Sequence, residues 1–231
     1  MKTKTMFYAT AATICLSASS AWADDDSACA GLPNYGHLKQ ALAQATGNPP
    51  SGNGGLSLNM WGSIVNRDGV VCAVAFTGSD RGAQFPGSRV ISAQKANTAN
   101  AFSLDGLALS TANLYFLVQP GQSLFGLEES NPVDTKVAYA GPSFFYGTPN
   151  DPMVGRKVGG VNVFGGGLAL YRNGKVIGAV GVSGDTSCAD HNIAWKTRKG
   201  LALNITPTND NISYGPTAHP FCLGGETPPA P

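Results

Sequence analysis

Hydrophobic positions along the chain alternate between helical and strand periodicity. In NYGHLKQALAQA, Asn34–Ala45, the apolar positions Leu38, Ala41, Leu42 and Ala45 fall on one helical face, with Asn34 placed to cap it. Two short apolar runs follow, Met60–Val65 and Val70–Phe76, split by NRDG at 66–69. That is a hairpin pattern in which Gly69 is free to take positive φ. Arg89–Phe102 reads as a second helix, with Ile91, Ala96, Ala99 and Phe102 roughly on one side and Ser88 as its cap. The runs Leu168–Arg172 and Lys175–Ser183 flank Asn173-Gly174, a strong hairpin signal. Asp190–Leu203 closes the series as a helix carrying Ile193, Ala194 and Leu201.

Between these blocks the periodicity fades. Residues 103–158 read as an insertion rich in Pro, Gly and aromatics, with one short helix near Ser110–Val118. So long an irregular stretch is usually functional or particular to one branch of a family. The order is helix, hairpin, helix, insertion, hairpin, helix. It predicts an α+β fold: an antiparallel sheet built from two hairpins and covered by helices. A doubly wound nucleotide fold does not fit, because its strands alternate singly with helices. Residues 24–225 are expected to form a single domain, and 226–231 (ETPPAP) a disordered tail.

The first 23 residues change how the rest is read. Lys2 and Lys4 precede a short apolar stretch, Phe7–Leu16, and Ala21-Trp22-Ala23 forms an A-x-A cleavage site. This is the pattern of a signal peptide cleaved before Asp24, so the mature protein is expected in the periplasm or secreted. Cys15 leaves with the signal, and Cys29, Cys72, Cys188 and Cys222 remain. An even number in an oxidising compartment predicts two disulfides, with three possible pairings. Cys29–Cys72 with Cys188–Cys222 is favoured, since each bond then ties a terminal segment to the centre. A metal cluster is the weaker reading, with three His and no C-x-x-C. The balance of 15 basic against 14 acidic residues, net +1, lacks the basic footprint of a nucleic-acid binder. Thirty Gly with only 13% charged residues predicts tight turns and close backbone approaches.

Candidate chemistry is sparse. Gly181-Val182-Ser183-Gly184-Asp185 narrowly misses the nucleophile elbow G-x-S-x-G, and Asp190 and His191 lie near it in the chain. A Ser183-centred triad competes with the plainer reading that Ser183 ends a strand before a turn. His191 stands near a helix start, which favours a neutral imidazole available as a metal or haem-iron ligand. Capping or solvent exposure is the bland alternative. His37 is expected on a helix surface, and Asp190 reads as a capping carboxylate. Lys95, isolated among small residues, pairs a carboxylate or propionate, or else snorkels to solvent.

Two segments resemble a known family. DRGAQFPGSRVISAQKANTANAF at 80–102 and FGGGLALYRNGKVIGAVGVSGDTSCADHNIA at 164–194 are similar to the GlcG/HbpS (DUF336-like) haem-binding proteins. The likeness lies in a KA-x-TA helix (Lys95, Ala96, Thr98, Ala99), the Gly166-Gly167 pair, the run Gly178–Gly184 and Asp190. NRDGVVCAVAF resembles the family's first hairpin. The resemblance implies a profilin-like layered domain that forms homo-oligomers and takes haem or iron; separately, the absence of a second long apolar run predicts no membrane span. It implies Lys95 and Arg81 near haem propionates and His191 as a possible axial or metal ligand. The expected function is exported haem binding for uptake, storage or sensing. The alternatives are a reductant-dependent haem-degrading enzyme, or a cofactor-free accessory subunit of an exported oxidoreductase.

Overall fold

The computed structural model describes residues 28–204, 209–223 and 226–230; the expected signal peptide lies outside them. Helix α1, Tyr35–Thr46, starts where expected, with the Asn34 side chain accepting from the His37 N–H. Strands β1 (Trp61–Asn66) and β2 (Val71–Phe76) form the first hairpin. Helix α2, Ser88–Phe102, follows. Ser88 is its first residue rather than its cap, and Gly87 stands at the cap position with no side chain to offer. The insertion holds two single-turn helices, α3 (Thr111–Leu114) and α4 (Thr135–Ala138). Ser110 caps α3 reciprocally with Asn113. Strands β3 (Gly167–Arg172) and β4 (Lys175–Ser183) form the second hairpin, and α5 runs from Ser187 to Gly200.

The four strands make one antiparallel sheet in the order β2-β1-β4-β3, the two hairpins joining along β1 and β4. Helices α1 and α5 cover one face, packing Leu38, Leu42, Ile193 and Trp195 against Ile64, Leu168, Leu170, Val180 and Val182. Helix α2 covers the other face with small side chains. This layering is the fold that the pattern predicted.

Where α2 crosses β3 and β4, the strands carry glycine instead of bulk. A Cβ added at Gly181 would lie 1.9 Å from the Ser92 carbonyl oxygen, and one at Gly167 would lie 2.4 Å from that of Lys95. Real Cβ atoms do not approach so closely, so these glycines let the α2 backbone rest on the strands. Ser63 and Ser92 then meet across the layer with hydroxyls 2.7 Å apart.

Each sheet edge is met by other backbone at one residue, which blunts it as a template for further strand pairing. At the β2 edge, Val71 N–H donates to the Arg156 carbonyl at 2.8 Å, and Gly155 N–H returns a bond to Val71 at 2.9 Å. At the β3 edge, Tyr171 N–H donates to the Leu203 carbonyl at 2.9 Å. The last described stretch, 226–230, has neither helix nor strand. It is nonetheless held against the body: the Trp195 indole N–H donates to Ala230 and the Asn211 amide to Pro229, each at 3.0 Å. Among the described residues no helix is long and apolar enough to cross a membrane.

Candidate functional site

Two clefts share Gly87, at the turn feeding α2. The first, about 440 Å³, gathers the glycine-rich motifs: Phe85, Ile91 and Phe164 give it apolar surface, and Lys95, Ser183, Ser187 and Asp190 polar surface. Lys95 is 1% exposed, with Nζ 2.7 Å from Asp190 Oδ2 and 3.2 Å from the Val182 carbonyl oxygen. Its charge is thus met within the protein. Burial pushes the Asp190 carboxyl up to about 6, against the opposing pull of the Lys95 ammonium.

Asp190 does not cap α5. Thr186 does, accepting from the Ala189 N–H, and the helix begins three residues earlier than the periodicity suggested. Asp190 instead reaches back, its Oδ1 accepting from the Asp185 N–H at 2.9 Å. The Asp185 carboxylate accepts from Leu56 at 2.8 Å and Leu58 at 3.0 Å, tying this turn to the chain entering β1.

His191 lines neither cleft. Its ring is fully buried, and Nε2 accepts from the Ile212 N–H at 3.1 Å. The proton therefore sits on Nδ1, which has no partner. Burial chiefly, with Arg198 nearby, lowers its pKa to about 3. The imidazole is neutral as expected, but its lone pair is spent on the backbone, so it is not presented as a metal or axial ligand. With the Asp190 oxygens taken by Lys95 and the Asp185 N–H, and His191 Nε2 by Ile212, the Ser183–Asp190–His191 triad is not assembled.

The second cleft, about 490 Å³, is aromatic. Trp61, Tyr139, Tyr146 and Val90 line it, with exposed Arg81 and buried Arg89 as its cations. Arg81 and Lys95 therefore sit in different clefts. The Trp61 indole N–H is buried without a partner. The Arg89 guanidinium lies 3.6 Å from the Tyr146 ring centroid, donates to the Ala138 carbonyl at 2.7 Å, and pairs through two nitrogens with Asp151. Sequence reading missed Arg89 and Asp151. The available signal was an arginine in the first turn of a helix whose one other charged residue is Lys95. The insertion thus supplies one wall of this cleft, through Tyr139, Ser143 and Tyr146.

The disulfides are Cys29–Cys72 and Cys188–Cys222. Cys188, Cys222 and His219 cluster, but the two sulfurs are bonded to each other and are not free thiolates for a metal. His219 is 1% exposed and stands between Ser187 Oγ, 3.0 Å from Nε2, and the Pro220 carbonyl oxygen, 2.7 Å from Nδ1.

A family model described as haem degrading protein HbpS-like matches residues 56–199 of the chain. Among solved structures, the PduOC:heme complex is 24% identical, with a TM-score of 0.50 over 73% of this chain and 92% of that one. Klebsiella pneumoniae protein ORFY, a DUF336 protein, is 24% identical, with a TM-score of 0.49 over 74% of this chain and 88% of its own. No curated protein matches.

Proposed function

The chain belongs to the HbpS-like family, and from that premise we propose that it is an exported haem-binding protein serving haem uptake, storage or sensing. The observation that carries this reading is the family match across residues 56–199. The haem of the PduOC:heme complex, a protein of similar fold, adds to it.

The aromatic cleft suits the group. A macrocycle needs apolar cover and its propionates need cations or N–H donors. Trp61, Tyr139 and Tyr146 offer that cover, exposed Arg81 offers a free cation, and the unpartnered Trp61 N–H offers a buried donor. Lys95, already neutralised by Asp190, is the poorer propionate partner. With His191 engaged by Ile212, the phenols of Tyr139 and Tyr146, which line this cleft together with the Asp80 carboxylate, would be the groups to hold an iron. Bound haem would supply the redox-active iron; the chain's own part is to cover, orient and hold it.

Titrating the mature protein with haemin should shift the Soret band with saturation, and an unshifted band removes the reading. Replacing Arg81 by Ala should weaken binding several-fold, whereas Lys95→Met should act on stability. The family description favours a second reading, reductant-dependent haem degradation. Loss of the Soret band on adding a reductant, with catalase present, separates that enzyme from a passive binder.

A further inference from the structure

Ser187, which lines the motif cleft, meets His219, 32 residues further along the chain and buried behind it; neither lines the aromatic cleft. We propose that they form a nucleophile–base pair that hydrolyses small neutral esters, a site independent of haem.

Ser187 follows β4 by one short turn and opens α5, a 14-residue helix. This is a strand–turn–helix setting, in which a hydroxyl at the helix start faces out beside backbone N–H groups. Its Oγ lies 3.0 Å from His219 Nε2. The other ring nitrogen lies 2.7 Å from the Pro220 carbonyl oxygen, an acceptor only. Nδ1 must therefore carry the proton, and Nε2 turns its lone pair to the serine hydroxyl. The Pro220 carbonyl thus holds tautomer and ring orientation, the part a carboxylate plays in a full triad. Burial lowers the His219 pKa, which keeps the imidazole neutral at neutral pH with its Nε2 lone pair able to accept a proton. The cleft beside Ser187 offers Phe85, Ile91 and Phe164 to an apolar acyl group; Lys95 and Asp190 offset each other there, and the remaining Asp185 carboxylate disfavours an anionic substrate.

The chemistry closes without a co-reactant beyond water. Ser187 Oγ bonds the acyl carbon as Nε2 takes its proton, and the ester C–O bond breaks. Nε2 returns the proton to the departing alkoxide. Water, deprotonated by Nε2, then cleaves the acyl-serine and regenerates both groups. In the first turn of α5 the Cys188 N–H donates to Cys222 Sγ and the Ala189 N–H to Thr186 Oγ1, so the Ser187 N–H is the donor at this helix start for the developing oxyanion.

The test uses the disulfide-intact chain with p-nitrophenyl butyrate as substrate and a fluorophosphonate as active-site label. The expected result is turnover above the buffer rate and one covalent adduct, mapped by mass spectrometry to Ser187. Ser187→Ala and His219→Gln should each lower turnover at least 100-fold, with the adduct lost in the first and slowed to a similar extent in the second. Ser187→Cys, matched to the wild type in circular dichroism, should regain alkylation by iodoacetamide only while His219 is present. No adduct on Ser187, or turnover unchanged in Ser187→Ala, overturns the proposal. Haem binding is unaffected by either outcome.

Discussion

His191 and His219 show how little a histidine's place in the sequence says about its work. His191 neighbours the glycine-rich motif but spends its lone pair on Ile212, whereas His219, far along the chain, turns its lone pair to Ser187. The buried His191 also makes a pH prediction. Its pKa is about 3 in the fold and ordinarily about 6.5. As pH falls through that window the unfolded chain takes up a proton that the native state refuses, so stability falls by about 1.4 kcal/mol per pH unit. Asp190, raised to about 6, acts in the opposite sense between its ordinary value and 6, where the native state holds the extra proton. The clean readout is therefore a difference. In urea unfolding at pH 4 to 7, wild type should lose stability relative to His191→Gln as the pH drops. Parallel profiles would mean that His191 titrates normally.

Within the elements, the decisive contact is α2 on the sheet. Gly181 and Gly167 keep the strands bare beneath Ser92 and Lys95. Gly181→Ala forces the Ser92 carbonyl away and should cost about 2–3 kcal/mol or more. Gly174→Ala, at a φ of 76° with open space around it, should cost only about 1 kcal/mol. Equal losses of melting temperature in the two variants would refute the close-approach account. The insertion depends on a different device, the buried Arg89–Asp151 pair with its bond to the Ala138 carbonyl. Arg89→Met leaves Asp151 buried and unpaired, an expected loss of about 3–5 kcal/mol. It should also make residues 138–153 sensitive to proteolysis before the rest of the chain. Uniform cleavage kinetics across the protein would argue that the pair does not hold the insertion.

At the scale of the whole molecule, the disulfides bind the ends to the centre. Cys29–Cys72 spans 43 residues and Cys188–Cys222 spans 34, so each should contribute about 2–4 kcal/mol by restricting the unfolded chain. The second also holds His219 beside Ser187, since Cys222 follows it by three residues and Cys188 adjoins the serine. Replacing Cys188 and Cys222 by Ser should therefore lower the denaturation midpoint and suppress fluorophosphonate labelling together. Labelling preserved at full rate would show that the tail docks without the bond.

The elements were legible because their causes are local. Asn34 ahead of an apolar stripe, Asn173-Gly174 between alternating runs, and two hairpins separated by a helix are written in neighbouring residues, and the structure builds from them the predicted antiparallel sheet between helices. Helix starts were less legible: Thr186 caps α5 ahead of its apolar period, and Gly87 precedes α2 with no capping side chain. Resemblance reached the family through motifs that turn out to be backbone contacts, Gly181 and Gly167 under α2. Only the tertiary structure decided which charges are free and which are spent. Lys95 meets Asp190, Arg89 meets Asp151, and Arg81 alone of the three stays exposed in the aromatic cleft. The physical reason is range. Periodicity and turn chemistry act over a few residues, whereas the partner of a buried charge or ring nitrogen lies across layers that exist only after folding.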